Sequence, residues 1–123
     1  MSNIYTTVES LDLERKIDIA TEGLQDHLKH KLQSIHAQQA FTITKYVISM
    51  RSETNLSDNY RRLVIIVLSD LSRHYIDKLF SQMTRNDILV FLDSFRRPEA
   101  ADPLHKWIGT YNLYRVLIIR FFR

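Results

Sequence analysis

Between about residues 8 and 36, Leu13, Ile17, Ala20, Leu24, Leu28, Leu32 and Ile35 recur at intervals of 4, 3, 4, 4, 4 and 3, with charged residues between them. That spacing places all seven on one face of an amphipathic helix. Gly23 falls inside the run, and glycine in a helix interior costs about 1 kcal/mol relative to alanine. The stretch therefore reads as two shorter helices or as one bent helix. An apolar stripe of this length needs a cover, which is the rest of the chain, a second copy of it, or another partner. It is too short to be assigned as a coiled coil.

The remaining pattern is helical as well. A second helix is expected from about Gln38 to Ser52, burying some of Phe41, Tyr46, Val47, Ile48 and Met50, with a turn over residues 52–57. Ser57 or Asp58 can cap the next helix by accepting from the free amides of its first turn. That third helix is expected to reach about Leu79, with Tyr60, Leu63, Val64, Val67, Leu71 and Tyr75 on its buried arc and Arg62, Ile66, Ser69 and Arg73 on a separate polar stripe. Thr84 followed by Asp87 is a capping-box relative that opens a fourth helix, with Ile88, Leu89, Phe91, Leu92 and Phe95 as its core. Arg96 and Arg97 fall at its negative end, and Pro98 stops it. Residues 98–109 form a connector, with a single helical turn expected around Leu104–Trp107. Thr110 is placed to cap a last helix that runs to the chain end. In this helix Leu113, Tyr114, Leu117, Ile118 and Phe121 form the core arc, whereas Val116, Ile119 and Phe122 fall outside it. Such a surplus of apolar residues, stopping in mid-pattern, is expected of a piece of a larger protein.

Composition sharpens the fold class. Two glycines and two prolines in 123 residues leave few turn or strand-edge signals, which favours an all-α fold with short connections. The longest aliphatic run, Leu63 to Leu68, is six residues, against about 20 for a bilayer span, and the N-terminus lacks the profile of an export signal. No membrane partner is expected, and a cytoplasmic location is. The absence of cysteine removes disulfides, thiol nucleophiles and thiolate metal sites. Charge is uneven: four cations against six anions leave residues 1–44 at −2, while thirteen against eight leave residues 45–123 at +5, and ten of those thirteen are arginine. Arginine's planar fork suits phosphate and guanine, so a polyanionic partner fits the basic body.

Candidate catalytic chemistry is thin. Gly23 and Gly109 cannot build a phosphate-cradling loop. His27 and His30, spaced i, i+3 beside Asp26, lack a third ligand at a suitable offset, so they read as a solvated helix face and no metal site is assigned. No grouping of Ser, His and Asp supports a nucleophile, and neither catalytic residues nor a cofactor are expected in this chain. What remains is two basic, aromatic helix starts, Asn59-Tyr60-Arg61-Arg62 and Lys106 through Arg115 with Trp107, Tyr111 and Tyr114. Helix N-termini favour phosphate, and Arg, Asn and Tyr can donate to backbone oxygens or base edges.

Several of these pieces stand in a familiar order. The helix around Thr44-Lys45-Tyr46-Val47, the stretch Ser57-Asp58-Asn59-Tyr60-Arg61-Arg62, the Met83-Thr84-Arg85-Asn86-Asp87-Ile88 start leading to Phe91-Leu92, and the closing Gly109-Thr110-Tyr111-Asn112-Leu113-Tyr114-Arg115 helix succeed one another along the chain. From Tyr46 to Arg123 the sequence resembles the N-terminal core-binding, SAM-like domain of tyrosine recombinases and phage-type integrases. The connector from Phe95-Arg96-Arg97-Pro98 to His105-Lys106-Trp107 is most similar to the archaeal members. The resemblance implies a bundle of four to five helices over residues 38–123, preceded by an extra amphipathic helical extension over residues 1–37. The domain would form half of a clamp around double-stranded DNA. It implies DNA contacts by Lys45, Arg61, Arg62, Lys106, Thr110, Tyr111, Asn112 and Arg115, with lysine and arginine mainly on phosphates and Asn112 and Arg115 nearest base edges. The family's catalytic Arg, Lys, His and Tyr set belongs to a further domain, and none of the six tyrosines here matches the nucleophile's context. The chain is thus expected to bind DNA for integration or recombination without cutting it. The alternative is a helical protein-interaction module, and homo-oligomers are expected either through residues 8–36 or on DNA.

Overall fold

Gly23 adopts φ +81°, a left-handed conformation that a residue with a Cβ reaches only with strain, and it ends the first helix. In the computed structural model, which describes residues 2–53 and 57–123, the long N-terminal stripe is two helices, α1 (Ser2–Ala20) and α2 (Asp26–Gln33). They are followed by α3 (Ala37–Glu53), α4 (Asp58–His74), α5 (Arg85–Asp93) and α6 (Trp107–Phe122), with one 3-10 turn at Phe80–Gln82. The fold is all-α, without a strand among the described residues. No helix among them is long and apolar enough to cross a membrane. The turn expected over 52–57 falls largely on residues 54–56, which lie outside the described ones.

The chain forms two compact units, Met1–Ile76 and Asp77–Arg123. The division thus falls after α4 and not at residue 37. The physical reason lies in where the stripe is spent. α1 packs on α3 and α2 packs on α4 and α3, so Ile17, Ala20, Leu28 and Leu32 are at most 2% exposed inside the first unit. The N-terminal segment is a structural half of this unit, and these four residues of its stripe are spent within it.

α4 is the centre of the first unit. Ser57 caps it, accepting from the Tyr60 amide at 3.2 Å, and Arg73 and His74 lie in its last turn. Packing against both α2 and α3 buries more of its circumference than the expected arc: Ile65 and Leu68 join Val64, Val67 and Leu71. Ser69, expected on the polar stripe, is also buried. Its Oγ has no hydrogen-bond partner among the described residues. A hydroxyl deprived of water without a replacement bond costs stability. Ser69→Ala is therefore expected to stabilise the chain by about 1 kcal/mol, helped by alanine's helix propensity. Urea denaturation measures it, and a loss of stability would show that the hydroxyl is bonded in solution. α4 stops at His74, five residues short of the expected Leu79, with Tyr75 leaving the helix at φ −120°, ψ 75°. No glycine or proline marks this end.

In α3, Val47 is fully buried as expected, but the core face also includes Ala40, Ile43, Thr44 and Gln39, while Phe41, Tyr46, Ile48 and Met50 are half-buried.

The second unit is an antechamber of aromatic contacts around α5 and α6. Phe91, Leu92, Leu117, Ile118 and Phe80 are its buried residues. Phe95 bridges Phe91 and Tyr114 edge to face, with centroids 5.3 and 4.9 Å away, and Phe80 meets Phe121 at 4.9 Å. The Thr84–Asp87 capping box forms in full: Thr84 Oγ1 accepts from the Asp87 amide at 3.1 Å and Asp87 Oδ2 from the Thr84 amide at 2.9 Å. Lys78 adds an ion pair to the same carboxylate at 2.8 Å. Leu89 and Leu113, expected in the core, are 39% and 40% exposed. α5 packs chiefly on α6, and a two-helix contact buries only a narrow stripe of each helix.

Candidate nucleic-acid interface

The expected DNA-contacting residues separate by unit. Lys45, Arg61 and Arg62 belong to the first, and Lys106, Thr110, Tyr111, Asn112 and Arg115 to the second.

Arg61 is not a surface cation. It is 3% exposed, and its guanidinium donates from Nη1 to the Ala20 carbonyl at 3.0 Å and from Nη2 to the Glu22 carbonyl at 2.8 Å and to Asp58 Oδ1 at 2.7 Å. The end of α1 leaves carbonyls without helical partners, and a buried arginine fork satisfies two acceptors there while countering the negative end of the helix. Assignment of Arg61 to DNA is therefore corrected: its donors are spent inside the fold. Arg62, next along α4, is half-buried and bonds Asn59 Oδ1 at 2.8 Å on the surface, and Lys45 is exposed on α3.

In the second unit, the connector turns the end of α5 towards the start of α6. Arg97 Nη1 donates to the Ser94 and Arg96 carbonyls at 2.9 and 3.0 Å, which closes the C-terminus of α5. Arg96 lies over the Trp107 ring with its guanidinium carbon 5.5 Å from the centroid, a cation–π geometry, and pairs with Asp93 at 3.4 Å. α6 begins at Trp107 and not at the expected Thr110. Its cap is Asp102, whose Oδ2 accepts from the Trp107 amide at 2.9 Å. The helical turn expected at 104–107 is a non-helical turn, with His105 at φ +52°. Thr110 thus lies one turn inside α6, and its position beside Lys106 follows from the i, i+4 spacing.

These elements bring Arg97, Lys106 and Thr110 around one hollow of about 230 Å³, lined also by Phe95, Asp102 and Trp107. The Trp107 Nε1 is buried and makes no hydrogen bond among the described residues. Tyr111 stacks edge to face on Trp107 at 6.0 Å and is half-buried. Asn112 and Arg115 are exposed further along α6, on or beside a face that also exposes Ile108, Val116 and Ile119 at 41 to 43%. Arg96, Arg97 and Trp107 were not among the sequence-derived contacts. The available signal was the basic and aromatic clustering at both ends of the connector.

The chain matches no family model, no curated protein and no solved structure. Function must therefore be argued from this geometry and from charge. The second unit carries eight Lys and Arg against five Asp and Glu, whereas the first carries nine of each. The net positive charge of the chain belongs to the unit that holds the hollow. Among the described residues no group of three His, Asp or Glu side chains is arranged to hold a metal ion.

Asp102 also gives this end of the unit a defined acid response. The Trp107 amide, and secondarily Lys106, hold its carboxyl below the ordinary carboxylate range. A depressed folded value means that the stabilisation is complete above the unfolded carboxyl value of about 3.9 and is lost as pH falls through the lower folded value. Asp102→Asn is accordingly expected to melt at lower temperature than the parent chain at pH 7, with the difference vanishing in strong acid. Thermal melts followed by circular dichroism check it, and an unchanged difference at low pH would contradict the cap.

Proposed function

We propose that the chain binds duplex DNA through its phosphate backbone, with the α5–α6 end of the second unit as the principal contact, and that it serves as the DNA-binding domain of a site-specific tyrosine recombinase or integrase. The observation that carries the DNA reading is the gathering of Arg96, Arg97, Lys106 and Thr110 about Trp107 in the net-positive unit. Three cations and a hydroxyl suit phosphate oxygens. Asn112 and Arg115, exposed along the same helix, are the side chains that fit base edges. Lys45 and Arg62 are additional phosphate contacts. The recombinase assignment rests on the ordered resemblance from Tyr46 to Arg123, and the cutting chemistry would reside in another domain.

The test is fluorescence anisotropy of a labelled random-sequence duplex titrated with the full chain at a series of salt concentrations. Backbone binding predicts a linear fall of log affinity with log salt, with a slope of about −0.9 per neutralised phosphate. Absence of binding at low salt by the folded chain would reject the reading.

A further inference from the structure

A second feature of the basic unit lies apart from the hollow. α5 and α6 leave an apolar groove of about 350 Å³, lined by Leu89, Leu92, Ile118, Ile119 and Phe122, with Arg85 contributed by α5 and Arg115 by α6. Leu89, Ile119 and Phe122 are 39 to 43% exposed. A face of this width on a unit of 47 residues marks an interaction site more readily than scattered exposed leucines would.

Charge says what fits it. Neither Arg85 nor Arg115 makes a hydrogen bond or ion pair among the described residues. Arg85 is the first residue of α5, at the positive end of that helix, where a cation is disfavoured. No carboxylate lines the groove, and α6 contains no Asp or Glu along Trp107–Phe122. The ligand must therefore bring apolar side chains for the groove and negative charge for the two arginines. A second copy presenting the same face would set arginine against arginine.

We propose that the α5–α6 groove docks an acidic amphipathic helix of a protein partner, its apolar residues against Leu89, Ile119 and Phe122 and its carboxylates on Arg85 and Arg115. Helix-in-groove recognition of this kind uses anchors at i, i+3, i+4 and i+7, and flanking charges select the partner. The groove lies apart from the Trp107 hollow and shares Arg115 alone with the proposed DNA contacts.

The probe is a labelled synthetic peptide of about five helical turns, with leucines at i, i+3, i+4 spacing and glutamates elsewhere, titrated into the full chain. A peptide with lysine in place of every glutamate is the control. The glutamate peptide is expected to bind at least about tenfold more tightly than the lysine peptide. Arg85→Glu is expected to narrow or reverse that preference, a change that loss of folding cannot produce. Leu89→Asp, at an exposed position outside the hollow, is expected to weaken the glutamate peptide while leaving duplex affinity unchanged, with helical content checked by circular dichroism. Equal binding of both peptides, no binding of either, or a dimer in sedimentation that Ile119→Asp dissolves would each overturn the proposal.

Discussion

Arg61→Ala is expected to lower the stability of the chain by about 3 kcal/mol, the scale for losing a buried charged donor that serves several acceptors. The substitution removes the donor that reaches the Ala20 and Glu22 carbonyls at 3.0 and 2.8 Å and leaves a cavity where the side chain is 3% exposed. The Asp58 ion pair contributes little of this, because its carboxylate is 72% exposed. Asp58→Ala should therefore cost less than about 1 kcal/mol. Arg61→Lys keeps the charge but not the planar fork, so it should recover only part of the loss. Guanidinium denaturation of the three variants measures the order. Equal stability of Arg61→Ala and the parent would mean that the side chain is not the cap of α1.

The second large effect is on DNA. Replacing Arg97 and Lys106 together with alanine is expected to reduce affinity for a random duplex by about tenfold or more at moderate salt and to reduce the magnitude of the salt slope by about two. Lys106 is exposed, and Arg97 is exposed with Nη1 turned back onto carbonyl oxygens, so the pair can be removed with little core damage. Arg97 does close the end of α5, and the loss of that contact is a surface effect of a few tenths of a kcal/mol. The distinguishing observation is the slope. A variant that is merely less folded loses active concentration at every salt, whereas loss of two phosphate contacts changes how steeply affinity falls. An unchanged slope would remove these residues from the interface.

Much of the fold was legible because it is written locally. The interval pattern from Leu13 to Ile35, its interruption at Gly23, the Ser57 cap and the Thr84–Asp87 box each involve residues within a few positions of one another, and each formed as the sequence implied. What the sequence hid is tertiary. Arg61 resembles any basic residue at a helix start, and only the return of α1 to within reach, 41 positions away in the chain, makes it a buried cap. Ser69 sits on a nominally polar stripe but lies beneath a second packing face of α4. Leu89 and Leu113 have the correct period for a core and lack enough neighbours to bury them. Thr110 is a capping residue by type and lies where the sequence pattern resumes, yet the connector delivers Asp102 to the Trp107 amide. Of the candidate interface, Lys106 and Thr110 were visible as part of a basic and aromatic run. Their grouping with Arg96 and Arg97 depends on how the connector folds back, which no local spacing encodes.

Trp107 is the sole tryptophan, and its indole N–H is buried at the centre of the basic cluster. It therefore gives one isolated resonance in an amide-proton NMR spectrum. Titrating the labelled full chain with a short duplex at low salt is the most direct test of the account. The predicted result is a progressive shift of the Trp107 indole signal together with the amides of Arg96, Arg97, Lys106 and Thr110, reversed by added salt. A spectrum in which these signals stay fixed, whether or not others move, would contradict DNA binding at this end of the second unit.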